Sequence, residues 1–237
     1  MLIRLTYLLA LFVVACGGER GPEVGDRKAA DSAGTVVGLP SGPTDPTAPN
    51  EFRVLFETSK GPFVVEVHRD WAPRGADRFY HLVQSRYFDD VRFFRVVSSF
   101  MAQFGMHGNP NVHEAWDKMV IPDDSVKESN RRGYVTFATA GPNSRTTQIF
   151  INIVNNRPLD EMGFAPFGRV VEGMATVDSL YADYGDAPPG GVGPDQTRIT
   201  REGNAYLQRE FPNLDYIRSA RLVTDSAGAA KRDTSAR

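Results

Sequence analysis

The sequence has few cysteines and histidines and no excess of basic residues. Only one cysteine, Cys16, occurs in 237 residues, so no intrachain disulfide can form and the core alone must hold the fold together. The four histidines have no spacing typical of metal ligands. The 27 Lys and Arg residues are balanced by 29 Asp and Glu residues, which argues against the basic surface of a nucleic-acid-binding domain. We therefore expect no metal, no cofactor and no nucleic-acid partner.

No apolar run in the sequence is long enough to span a bilayer. The run at residues 5–14 follows one cation, Arg4, and has the length of a signal-peptide core. Small and apolar residues then stand directly before Cys16, a pattern that resembles a bacterial lipoprotein signal. We therefore expect a signal peptide over residues 1–16, with Cys16 as the lipidated residue that anchors the chain in a membrane. An ordinary signal peptide with a chance cysteine is the alternative.

The expected anchor places the protein in the cell envelope, at the periplasmic face. Gly17 stands where some bacteria carry an aspartate that retains lipoproteins in the inner membrane, which favours the outer membrane. Residues 17–50 are rich in Gly, Pro, Asp, Ser and Thr and predict a flexible linker, and residues 224–237 predict a disordered tail. The folded domain is therefore expected over residues 51–223.

The pattern of this domain predicts many short strands and few helices. Residues 52–58 and 63–68 flank a Ser-Lys-Gly-Pro turn and predict a β-hairpin. Apolar residues at helical spacing after Pro73 predict a helix. Further strands are expected at residues 91–97, 100–105, 133–138, 148–153, 165–170 and 216–223, helices at 172–181 and 199–211, and a surface loop at 183–196. Because strands and helices do not alternate, we expect an antiparallel β-barrel that closes on itself, with helices over its open ends.

One segment, residues 93–105, combines a cation, an apolar pair and an amide. Arg95 stands ahead of Phe100 and Met101, and Gln103 follows two residues further on. Side chains an even number of residues apart share a face of a strand, and a bend at residues 98–99 can bring both halves onto one surface. Arg95 is then expected at the rim of an apolar concavity, where its charge has a stronger effect than in water. A solvated or salt-bridged edge position is the alternative.

Two later segments carry further candidate residues. Residues 135–152 predict a strand, a polar turn and a second strand, on which Gln148 and Phe150 share a face. Residues 157–174 offer Leu159 and Phe164 as further apolar wall. Taken alone, the turn is only a turn, and Leu159 and Phe164 equally suit the core.

These three segments, in this order and at these separations, resemble the cyclophilin family of peptidyl-prolyl cis/trans isomerases across residues 51–223. The resemblance implies a mainly β fold, a closed eight-stranded antiparallel barrel capped by helices. By matching position it implies Arg95 and Gln103 as catalytic residues. The residues that it implies for substrate binding are Phe100, Met101, Ala138, Thr139, Ala140, Gln148, Phe150, Leu159 and Phe164.

The sequence departs from the family pattern close to the arginine. Phe94 replaces a histidine that is frequent there, residues 98–99 are Ser-Ser in place of Pro-Gly, and Phe104 replaces a glycine. Arg95 and the main apolar positions are retained. The departures therefore bear on substrate preference.

The resemblance implies an enzyme that accelerates rotation about X-Pro bonds without making a covalent bond. Its expected partners are proline-containing extracytoplasmic polypeptides, on which it would act as a monomer. The alternative is a non-catalytic proline-peptide-binding module or a holdase chaperone. A hydrolase is less favoured, because Cys16 lies outside the domain and no Ser, His and Asp set stands out.

Overall fold

The fold is built on one antiparallel sheet, and the computed structural model describes residues 36–223. The order of the strands in the sheet is β3-β4-β6-β5-β7-β2-β1-β8. The strands are β1 Glu51–Thr58, β2 Gly61–His68, β3 Arg95–Val97, β4 Met101–Phe104, β5 Tyr134–Phe137, β6 Ile149–Asn152, β7 Pro166–Glu172 and β8 Ile217–Leu222. The helices are α1 Pro73–Gln84, α2 Pro110–Asp117, α3 Pro158–Glu161, α4 Met174–Asp178, α5 Gln196–Glu202 and α6 Asn204–Glu210.

The sheet curls into a half-barrel, so the expectation of a fully closed barrel was wrong. Its edge strands are β3 and β8. Near them the chain makes only a few hydrogen bonds across the gap, such as Phe93 N to Asp215 O at 2.9 Å, and Arg92 and Tyr216 form an isolated bridge. β3 begins at Arg95, beyond this contact, and pairs with β4 alone. No ladder therefore joins the two edges in the described part of the chain.

The hydrophobic core lies between the inner face of the sheet and α1. In the β1–β2 hairpin, alternate residues such as Phe56 and Phe63 are buried, as expected for strands with one face on the core. These two residues are ladder partners, and their rings stack with centroids 4.8 Å apart. Phe79 of α1 packs against Phe56 and against Phe167 of β7. The hairpin and the helix after Pro73 agree with the sequence prediction.

A buried carboxylate joins the start of α1 to the loop before β6. Asp124 accepts hydrogen bonds from Arg74 N at 3.1 Å and Gly75 N at 2.9 Å, amides of the first helical turn that have no partner within the helix. A negative charge is also favoured at this end of the helix. Arg145 donates to the same carboxylate, with Nη1 3.1 Å from Oδ2, and both side chains are almost fully buried. This ion pair ties two distant segments together.

Residues 36–50 pack against the domain, in contrast to the flexible linker expected over residues 17–50. Asp45 accepts a hydrogen bond from Arg78 Nε at 2.8 Å, and Gly38 O accepts one from Trp116 Nε1 at 2.6 Å. Arg78 and Trp116 are buried and their N–H groups need partners, which this segment supplies. Composition did not reveal the packing because the partners lie far along the chain. The predicted features at residues 1–16, the rest of the linker and the tail at 224–237 lie outside the described residues.

The packed segment brings Ser41, His81 and Asp45 into the order of a hydrolase triad. Ser41 Oγ lies 2.8 Å from His81 Nε2, and His81 Nδ1 lies 3.0 Å from Asp45 Oδ1. His81 is fully buried, and Asp45 is shared with Arg78. These contacts fasten the segment to α1.

The helices after β7 are shorter than the sequence patterns indicate. The helix expected at residues 172–181 is limited to α4, and the one expected at 199–211 is divided into α5 and α6. Gly203 separates them with φ 59°, and a Cβ there would collide with the carbonyl oxygen of Gly108. In the described part of the chain, no helix has the length and apolarity needed to cross a bilayer.

We expect Asp124→Asn to lower the free energy of unfolding by about 3 kcal/mol, because it leaves the buried Arg145 charge with only the partly exposed Asp123, 3.2 Å from Arg145 Nε, as a counter-ion. Urea unfolding measures the change. Asp123→Asn is the comparison at the same arginine, since the Asp123 side chain is 37% exposed and should contribute about 1 kcal/mol or less. Equal losses in the two variants would contradict a dominant role for the buried pair.

Candidate active site

A cleft of about 420 Å³ lies on the sheet beside β4 and β6. Every site residue that the sequence predicts within the domain lines it: Arg95, Phe100, Met101, Gln103, Ala138, Thr139, Ala140, Gln148, Phe150, Leu159 and Phe164. Four lining residues were not predicted: Asp117, Ser144, Thr146 and Gln196. They lie in turns and helix ends that carry no distinctive sequence pattern, and no local signal could have identified them.

The register of the strands places the polar and aromatic groups in one row. Arg95 of β3 pairs with Gln103 of β4, and Gln103 pairs with Phe150 of β6. Residues directly opposite each other in antiparallel strands have side chains on the same face. The three side chains therefore stand next to one another across three strands. The bend at residues 98–99 joins β3 to β4, as the sequence indicates.

The floor of the cleft is an apolar cluster separate from the main core. It consists of Met101, Phe150 and Leu159, with Phe100 and Phe164 packed at its edge. The rings of Phe150 and Phe164 meet edge to face with centroids 5.8 Å apart. This floor offers an aromatic and aliphatic surface for a small apolar group of a ligand.

The polar wall is a series of side-chain hydrogen bonds. Arg95 Nη1 donates to Gln103 Oε1 at 3.1 Å, and Gln103 Nε2 donates to Gln148 Oε1 at 2.9 Å. The Arg95 guanidinium also lies over the ring of Phe100, 5.7 Å from its centroid. Gln103 thus holds both neighbours. Arg95 lies at the rim of the cleft and on the edge strand β3, where it is also salt-bridged, so the structure combines the expected rim position with the alternative of a salt-bridged edge position.

The turn between β5 and β6 forms the third side of the cleft. Ala138 N donates to Gln148 O at 2.9 Å, which continues the sheet by one residue. The hydroxyl of Thr139 is engaged within the turn, 2.9 Å from Ser144 Oγ, and Ser144 Oγ also accepts from Ala140 N. The Thr139 side chain is therefore occupied within the turn, which leaves its main chain as the part available to a ligand.

One contact at the site comes from a loop that the sequence interpretation left without a role. Asp186, in the loop before α5, lies 2.7 Å from Arg95 Nη2 through its Oδ2. This hydrogen bond holds the pKa of the Asp186 carboxyl below its ordinary value, so the carboxylate is charged at neutral pH. The two residues are 91 positions apart. Nothing in a Gly- and Pro-rich stretch marks one aspartate as a partner of Arg95.

The departures from the family pattern lie outside the cleft lining. Phe94 is buried in a second cluster with Met106 and residues of α5 and α6. Phe104 is buried in the main core. Ser98 and Ser99 form the turn of the hairpin. The expected effect of these departures on substrate preference would therefore be indirect.

The chain matches the family model described as cyclophilin type peptidyl-prolyl cis-trans isomerase over residues 53–200. A peptidyl-prolyl cis-trans isomerase of Acinetobacter baylyi is 31% identical over 132 residues, which cover 54% of this chain and 70% of that protein. Peptidyl-prolyl cis-trans isomerase CYP18-2 of Arabidopsis thaliana is 34% identical over 141 residues, covering 57% of this chain and 85% of that protein. The chain belongs to the cyclophilin-type peptidyl-prolyl cis-trans isomerase family, and these relatives support isomerase activity.

Solved structures agree on the fold. A cyclophilin-type isomerase of Cryptosporidium parvum has a TM-score of 0.53 and 18% identity, covering 73% of this chain and 98% of its own. A second structure of the same protein, obtained in the presence of the dipeptide Ala-Pro, has a TM-score of 0.53 and 20% identity, and the match covers 73% of this chain and 99% of its own. The half-barrel with its helices is therefore a cyclophilin-like fold.

Replacing Gln103 should weaken the polar wall of the cleft and leave the apolar floor of the cleft in place. We expect Gln103→Leu to lower the isomerisation rate about tenfold, since it removes a hydrogen bond to a charged group, worth about 1.5–3 kcal/mol, that steadies Arg95. A proline-peptide isomerisation assay measures the rate, and Gln84→Leu, an exposed glutamine on α1, is the matched control. A full rate in Gln103→Leu would show that the bridge is dispensable.

Proposed function

We propose that this chain accelerates the cis/trans rotation of X-Pro bonds in extracytoplasmic polypeptides, with Arg95 as the catalytic cation. The observation that carries the proposal is the row of Arg95, Gln103 and Phe150 beside an apolar floor. Gln103 acts with Arg95 by holding its guanidinium, and the chain acts as a monomer. The residues that line the floor and the turn bind the substrate.

The reaction needs stabilisation of a twisted peptide bond and no proton or bond transfer. The X-Pro bond resists rotation because nitrogen shares its lone pair with the carbonyl, and uncatalysed exchange takes about 10–100 s. In the twisted transition state that lone pair returns to nitrogen, so a hydrogen-bond donor placed there favours the transition state selectively. Arg95, with several N–H groups on one planar cation, suits this task.

The energetics require both the cation and the apolar floor. Turnover in milliseconds needs a gain of four to five decades over the uncatalysed rate, or about 5–7 kcal/mol. One well-placed donor in a dry site contributes about 3–4 kcal/mol. The rest must come from holding the proline ring on Met101, Phe150 and Leu159 while the flanking carbonyl turns. The related Cryptosporidium protein, whose structure was obtained in the presence of Ala-Pro, supports a proline ligand for this floor.

A non-catalytic module that binds proline peptides, or a holdase chaperone, is the second candidate. The apolar floor alone favours it, because such a surface holds a proline ring whether or not rotation is accelerated. The two candidates differ in Arg95. Catalysis requires the guanidinium, whereas binding to the floor does not.

We expect Arg95→Ala in the full-length chain to lower kcat/KM for a proline peptide by about 10²–10³-fold, the usual loss when one transition-state donor is removed. Arg95→Lys should recover little, because lysine is a mobile point charge without the planar fork. Arg218→Ala, an exposed arginine on β8, controls for loss of charge. Wild-type rates no faster than those of Arg95→Ala would favour the binding module.

We also propose that the chain is anchored in the cell envelope through lipid on Cys16, with the domain at the periplasmic face and the outer membrane as the favoured site. The support is the short apolar run, the small residues before Cys16 and Gly17 after it. Several acyl chains on one residue anchor a protein more stably than one chain does. Proline-containing proteins that fold in the envelope are the corresponding substrates.

We expect Cys16→Ser to abolish incorporation of a labelled fatty acid and to release the protein from the membrane fraction, because the substituted residue is the only site that can carry the lipid. Metabolic labelling followed by membrane fractionation measures both effects. Ser32→Ala, a change in the linker sequence, is the control. Labelling that persists in Cys16→Ser would refute the lipoprotein assignment.

A further inference from the structure

The loop between α4 and α5 brings a carboxylate onto the cation of the active site. Asp186 Oδ2 accepts a hydrogen bond from Arg95 Nη2 at 2.7 Å, and Asp186 Oδ1 accepts one from Ala187 N at 2.8 Å. The Asp186 side chain is 38% exposed and the Arg95 side chain 27% exposed. The pair therefore lies at the rim of the cleft, and the carboxylate is fixed at both oxygens.

The loop is folded tightly around the main chain of Asp186. Gly193 N donates to Asp186 O at 2.8 Å, and Val192 N donates to Tyr184 O at 3.1 Å. A Cβ at Gly191 would collide with the Asp186 carbonyl oxygen, and one at Gly193 would lie 2.9 Å from it. Only glycine allows this approach, so the Gly-rich stretch has a specific use. It holds Asp186 in place.

Asp186 and Gln103 together fix the direction of the Arg95 guanidinium. Gln103 accepts from Nη1 and Asp186 accepts from Nη2, so each terminal nitrogen is held by one neighbour and keeps one further N–H. Arg95 Nε is buried and has no hydrogen-bond partner among the described residues. The orientation of the cation therefore depends on these two bonds and on its contact with Phe100.

Two opposing effects of Asp186 on catalysis can be compared. Its negative charge weakens the electrostatic effect of Arg95, which in a solvated setting lowers the rate about fivefold. Holding the flexible arginine side chain in the reactive orientation raises the rate by as much as about 30-fold, because the entropy of the side chain is lost before the reaction. Because Gln103 and Phe100 supply part of that ordering, we expect a net benefit of about three- to tenfold from Asp186.

We propose that Asp186 is a positioning residue for Arg95, delivered by the glycine-rich loop, and that it aims the guanidinium at the substrate. The inference rests on the proposed function of Arg95 as the catalytic cation. The loop at residues 183–196, which the sequence predicts only as a surface loop, thereby has a role in the reaction.

The kinetic test compares variants of the full-length chain on a proline peptide. Asp186→Ala should lower kcat three- to tenfold with KM changed less than twofold, and Asp186→Asn, which keeps an acceptor oxygen, should recover part of the loss. Gly191→Ala should resemble Asp186→Ala, because it displaces the carboxylate without removing it. Asp183→Ala and Gly190→Ala are the matched controls in the same loop, since Asp183 is exposed and a Cβ at Gly190 meets nothing closer than 3.4 Å. Unchanged or faster turnover in Asp186→Ala would overturn the inference.

A second readout does not depend on activity. The ¹⁵N NMR signal of the Arg95 Nε–H group, assigned by its loss in Arg95→Lys, should exchange with water at least fivefold faster in Asp186→Ala than in the wild type. If the wild type shows no isomerase activity, the proposed function fails, and this signal still decides whether Asp186 fixes Arg95. An exchange rate that is the same in both proteins would refute the positioning role.

Discussion

The cleft depends on the register of three neighbouring strands, β3, β4 and β6. Their ladder puts Arg95, Gln103 and Phe150 in one row, and adjacent strands lie about 4.8 Å apart, close enough for direct contact between the side chains. A slip of β4 by one residue would turn Gln103 to the opposite face and bring Ala102 or Phe104 into the row. Both of these residues are buried in the main core, which makes the slip costly. The packing of Ala102 and Phe104 in the core therefore determines that Gln103 faces the cleft.

Two buried arginines support the wall of the cleft formed by the turn between β5 and β6. Arg78 of α1 donates to Thr146 O at 2.9 Å, and Arg145 pairs with Asp124 at the start of the same helix. Arg78 is neutralised by Asp45, from the segment before the domain. The folded unit therefore begins earlier than residue 51, because a buried arginine without its carboxylate would be strongly destabilising.

The sequence predicted the features that depend on neighbouring residues and on strand alternation. The hairpin, the helix after Pro73 and the placing of Arg95 and Gln103 on one surface belong to this class, since each follows from local spacing. The grouping of Phe150 with them was implied by the family resemblance. The open seam between β3 and β8, the break at Gly203 and the contact of Asp186 with Arg95 do not. Each depends on a partner far along the chain, such as Gly108 O, which lies close to Gly203. The periodicity of a single segment does not predict such a long-range contact.

The series of side-chain hydrogen bonds also gives the polar wall a mainly donating character. The oxygen of Gln103 accepts from Arg95 and the oxygen of Gln148 accepts from Gln103, so the N–H groups left on the three side chains outnumber the lone pairs left on the two amide oxygens. A prolyl bond lacks the N–H of an ordinary peptide bond and brings only an acceptor to such a wall. The wall therefore suits a prolyl bond by its hydrogen-bonding sense, before the shape of the ring is considered.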